Sequence, residues 1–121
     1  MKVEFHIKEI VITAKQKSLI EKKILKLKRY IKDEPLVVDV YLRDETSAEK
    51  GGVDQSVELS ATFGTEKMFV KEIDDRLMRA FAFAYKKLER NLQEFHRKRV
   101  DFSQGKEGRI NKLLKRFGLR R

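Results

Sequence analysis

The chain has no cysteine and a single proline in 121 residues. Without thiols there is no disulfide framework, thiolate ligand or thiol nucleophile. No apolar run approaches the roughly 20 residues of a membrane span, and no basic, apolar, then small-residue signal opens the sequence. A cytoplasmic protein with no membrane association is the expectation. Histidine is scarce: His6 and His96 are the only two. Neither falls in an HExxH or Cys/His metal spacing, and Gly51-Gly52 belongs to no phosphate-binding loop. The acid pairs Asp44-Glu45 and Asp74-Asp75 read as loop solvation and helix capping rather than as a general acid and base. His6 and Tyr41 read as sheet-surface residues with no role. No enzyme, metal, cofactor or small-molecule substrate is expected.

What is abundant is positive charge. Lys and Arg outnumber Asp and Glu 29 to 19, a formal charge of +10. Such an excess points to a polyanionic partner, nucleic acid or an anionic membrane, and says nothing about fold. The length is that of one domain with a tail.

The longest uninterrupted helical pattern runs from Asp74 to Arg99. Leu77, Phe81, Ala84, Tyr85, Leu88, Leu92 and Phe95 recur at steps of three and four and share one face. Arg79, Lys86, Arg90 and Arg97 fall within about 40° of the opposite side, with Phe83 among them. A charged outer stripe is ordinary for a surface helix; its sign is not. Asp74 and Asp75 suit the helix N-terminus and Arg97 to Arg99 its C-terminus. Arg79, Lys86, Lys87 and Arg90 have no such explanation, and only Glu89 and Glu94 offset them locally.

Upstream, Val3, Phe5 and Ile7 alternate with polar residues as in a strand with one buried face. Thr13 with Gln16 makes a capping box, with Ile12 placed to staple, so a helix is expected from Ala14 to about Ile31. Ile20, Ile24, Leu27 and Ile31 form its core stripe. Lys15, Lys22, Lys26 and Arg29 lie within about 40° of the reverse side, a second cationic ridge. After Pro35, two alternating runs follow, Leu36 to Arg43 and Val57 to Phe63, separated by a connection containing Gly51-Gly52. Gly64-Thr65 marks a tight hairpin into a less regular strand, Lys67 to Glu72.

The predicted fold is α+β in the order β-α-β-β-β-α. It has a four-stranded mixed sheet with the first two strands parallel, and both helices on one face, as in double-stranded RNA-binding domains. The other sheet face, with Glu58, Ser60, Thr62, His6 and Lys8, is polar enough to meet water. Helices lying abreast would merge their outer ridges into one basic surface for nucleic acid. From Val100 the composition shifts. Residues 100 to 121 carry seven Lys/Arg against two acids, 7 − 2 = +5 or half the excess. Ser103 to Gly108 reads as a joint, and Ile110, Leu113, Leu114 and Phe117 as a short basic amphipathic helix that orders on binding or stays flexible. The predicted division is a domain at 1–99 and a tail at 100–121.

The arrangement closely resembles the ribosome hibernation-promoting factor and ribosome-associated inhibitor family, in its short form. Ile12-Thr13, Lys23 to Tyr30 (KILKLKRY) and Lys87 to Leu92 (KLERNL) carry the resemblance, which covers about residues 1 to 99. It implies a factor, monomeric off the ribosome, that binds the small ribosomal subunit in the decoding region, across the A- and P-site tRNA and mRNA positions, and silences translation under stress and in stationary phase. The family's rRNA-facing positions correspond to Lys23, Lys26 and Arg29 in the first helix and Lys87, Arg90 and Lys98 in the last. Arg109, Lys112, Lys115 and Arg116 would extend the contacts along the mRNA channel. Glu94 stands where relatives usually have a base, and the 22 residues after Arg99 are too few for the dimerisation domain of long members. The rival from the residues alone is a general double-stranded or structured RNA-binding module, and a third is a membrane-surface protein using Ile110 to Phe117.

Overall fold

The protein is described from a computed structural model covering the backbone of residues 1–45 and 54–116 and the side chains of 1–45 and 54–99. The connection read at Gly51-Gly52 lies outside the described residues. The chain order is β1 (Lys2–Lys8), α1 (Ala14–Leu25), a 3-10 turn (Lys26–Tyr30), β2 (Val37–Asp44), β3 (Gln55–Phe63), β4 (Glu66–Asp74) and α2 (Leu77–Arg116). The four strands form one sheet in sequential order, β1 parallel to β2 and the rest antiparallel. This is the β-α-β-β-β-α arrangement and mixed sheet that the hydropathy periods predict.

Alternation assigns the sheet faces. Val38, Val40 and Leu42 of β2 lie in register with Leu59 and its neighbours Val57 and Ala61 of β3. All six are buried, in one cluster with Ile20, Ile24 and Leu27 of the first helical segment and Ala84, Leu88 and Leu92 of α2. A single core shared by both helices and one sheet face requires the helices on the same side.

Local chemistry positions each element. Thr13 caps α1: its Oγ1 accepts from the Gln16 N–H at 3.0 Å, and Gln16 Oε1 accepts from the Thr13 N–H at 2.9 Å. Thr13→Ala is therefore expected to cost about 1 kcal/mol, read as a lower urea midpoint at unchanged slope. Gly64, at φ 55°, opens the two-residue turn between β3 and β4. A Cβ there would sit 2.6 Å from a Glu34 carboxylate oxygen, which can swing aside, so it is the positive φ that favours glycine at this turn.

Two helix boundaries depart from expectation. The first helix tightens to 3-10 at Lys26 instead of continuing to Ile31. The spacing of Ile24, Leu27 and Tyr30 fits three residues per turn as well as 3.6, so periodicity cannot separate the two. The last helix continues past Arg99 and through Ser103 to Gly108, where the sequence suggests a joint, as far as Arg116. Once nucleated, a helix extends cheaply, and each of Gly105 and Gly108 opposes it by only about 1 kcal/mol. At 1.5 Å per residue its 40 residues span about 60 Å. Among the described residues no helix is long and apolar enough to cross a membrane.

Candidate nucleic-acid interface

Glu89 of α2 is the clamp that sets the two helical segments abreast. Its Oε2 accepts from Arg29 Nη2 at 3.0 Å, from the Tyr85 hydroxyl at 3.3 Å and from the Tyr30 hydroxyl at 3.4 Å. Gln93 Nε2 donates to the same Tyr30 hydroxyl at 2.9 Å. Burial, reinforced by the Glu89 charge, pushes the Tyr85 phenol up to about 12, so it serves as a neutral donor at ordinary pH.

Beside the clamp a groove of about 390 Å³ runs between the helices, lined by Leu19 and Lys23 from α1 and by Phe81, Tyr85 and Lys86 from α2. The Lys23 ammonium lies 5.3 Å from the centre of the Tyr85 ring, a cation–π contact. Lys23 thus stands at the helix junction.

All eleven cations predicted on the two helices are exposed: Lys15, Lys22, Lys23, Lys26, Arg29, Arg79, Lys86, Lys87, Arg90, Arg97 and Lys98. Three are held in ion pairs within the fold. Arg29 is held by Glu89. Arg79 is bound by Asp74 at 2.9 Å and Asp75 at 2.8 Å. Lys87 pairs with Glu72 of β4, so it points to the flank away from α1. Among the described residues, the other eight have no carboxylate within salt-bridge distance. The side chains of Arg109, Lys112, Lys115 and Arg116 lie outside the described residues.

The start of α2 explains why Arg79 is taken. Asp74 Oδ1 accepts from the Arg76 N–H at 3.0 Å, and this bond, with Asp75 and Arg79, holds the Asp74 carboxyl down to about 2. The anion needed at the helix N-terminus claims the guanidinium as its partner.

Two further cations were not singled out by the sequence. Lys28 and Lys32 line a cleft of about 650 Å³ with Lys26 and Arg29. Four residues after Ile24, Lys28 falls near the core side of a regular α-helix, but in the 3-10 turn it is exposed.

Residues 3–100 match the family model of the sigma 54 modulation protein / S30EA ribosomal protein family. The chain belongs to that family. Membership bears out the resemblance carried by KILKLKRY and KLERNL. Among solved structures, this S30EA member is similar to the Thermus thermophilus Protein Y N-terminal domain, with 24% identity and a TM-score of 0.65 over 78% of this chain and 99% of that one. It is also similar to a ribosomal subunit interface protein from Coxiella burnetii, with 13% identity and a TM-score of 0.64 over 78% and 97% of the two chains. At these identities the likeness establishes a shared fold. No curated protein matches the sequence significantly.

Proposed function

We propose that this S30EA family member is a ribosome hibernation factor that acts in the cytoplasm on the small subunit. It seats its two-helix face on rRNA in the decoding region and blocks the A- and P-site tRNA and mRNA positions by occupancy. The observation that carries this reading is the placement of Lys22, Lys23, Lys26, Lys86 and Arg90, exposed and without carboxylate partners among the described residues, on helices sharing one side of the sheet. Residues 1–99 would make the docking domain, and the basic stretch at 100–121 would follow the mRNA path. Inhibition by occupancy needs no reaction, and binding as a monomer suffices.

The physics is phosphate neutralisation. Folded rRNA can be recognised by its shape and phosphate positions without base readout. Eight contacting cations would release enough counterions for log affinity to fall with log salt at a slope of about −6 to −7. Raising salt from 50 to 200 mM is thus expected to weaken binding to purified small subunits by about 10³ to 10⁵. At fixed low salt, small subunits should be bound far more tightly than plain duplex RNA. Equal affinity for both would favour a general double-stranded RNA-binding module, the reading that the shared helix-on-sheet layout also allows.

A further inference from the structure

The open sheet face, on the side away from the helices, carries a cluster that the RNA-binding reading does not use. Glu4 and His6 project from alternate positions of β1, and Asp39 of β2 is the register partner of Glu4. One ligand atom from each lies within 4.8 Å of the others. His6 Nε2 is 2.9 Å from Asp39 Oδ1. The imidazole plane is set by stacking on Tyr41, with centroids 4.5 Å apart and 13° between planes.

Two carboxylates facing each other across adjacent strands repel unless a cation stands between them. Here His6 contacts one, and Lys2 contacts the other through a 2.7 Å ion pair with Glu4. A Lys2 side chain that is 68% exposed can swing into water at little cost. What would then converge is one imidazole nitrogen and two carboxylates, held by paired strands rather than loops. Ligands of a tetrahedral zinc ion, bonded at about 2.1 Å, stand about 3.4 Å apart. The 2.9 Å between His6 and Asp39 and the 4.8 Å that bounds the other separations bracket that spacing.

We propose that Glu4, His6 and Asp39 form a binding site for a first-row divalent cation of the Zn²⁺ type, with the solvent-facing positions left to water. The nitrogen ligand and the first-row affinity order favour such ions over Mg²⁺. Occupancy would tie β1 to β2 and raise the stability of the folded state by mass action. Because the cluster lies on the face opposite the helices, failure of this site would leave the ribosome reading untouched.

The test is calorimetric titration of the full-length, tag-free protein with Zn²⁺, followed by amide NMR. One saturable equivalent is expected, with shifts centred on residues 4, 6 and 39 and a higher melting temperature. His6→Ala and Asp39→Asn should each weaken binding by about tenfold or more. His96→Ala should leave it unchanged, and Mg²⁺ should not substitute. Absence of saturation up to about 1 mM Zn²⁺ would overturn the proposal. So would affinity unchanged by His6→Ala, or NMR shifts centred on His96.

Discussion

Reversing Lys26 and Arg90 together to glutamate is expected to weaken binding to small ribosomal subunits by about 10² to 10⁴, while the fold survives. Each substitution removes one charge-assisted phosphate contact, worth about 1.5–3 kcal/mol, before any repulsion by the new carboxylate is counted. Neither cation contributes an ion pair to the fold among the described residues. The folding cost is confined to Lys26, the C-cap of α1. There a carboxylate opposes the helix dipole by about 0.3–1 kcal/mol, a few degrees in Tm for a domain of this size. Lys8→Glu with Lys67→Glu makes the same change in net charge from exposed positions on the opposite sheet face. That control is expected to keep most of the affinity. Equal losses in both double variants would mean that total charge matters and the helical face does not.

Leu88→Ala is expected to have the largest effect on stability. Leu88 is fully buried in the cluster that both helices share with the sheet. Truncating a leucine in such a site removes transfer energy and leaves a cavity, typically 2–5 kcal/mol together. That is a large part of the 5–15 kcal/mol by which domains are usually stable. The neighbouring residue behaves differently. Lys87→Ala loses only an ion pair between its exposed ammonium and the half-buried Glu72, and should change stability by less than about 1 kcal/mol. Urea unfolding of the two variants should therefore separate widely in midpoint with similar slopes. Comparable losses would indicate that α2 is not seated on the core as described.

Much of this architecture was legible in the residues because the physics was local. Val38, Val40 and Leu42 declare a half-buried strand by period alone. Thr13 with Gln16 declares a helix start, and Gly64 a tight turn whose positive φ favours glycine. What escaped depends on contacts between distant segments. The pairing of Lys87 with Glu72 requires knowing how α2 lies over β4. The approach of Asp39 to His6 requires the β1–β2 register across 33 residues of chain. The outer sheet face is less polar than its alternation suggests. Phe69 and Ile73 of β4 are 57% and 48% exposed on it, in the strand whose pattern is least regular. The cations themselves were readable as exposed. Which of them stay available was not, since Asp74, Asp75, Glu72 and Glu89 make that selection in three dimensions.

On the proposed docking, the helical face, and not the open sheet face, meets rRNA. This is tested most directly by placing a photo-reactive amino acid at position 22 or 86, or else at 69 or 73, and irradiating each protein bound to small subunits. The expected result is cross-linking to decoding-region rRNA from positions 22 and 86 and none from 69 and 73. Cross-links to rRNA from the sheet-face positions, with none from the helices, would contradict it.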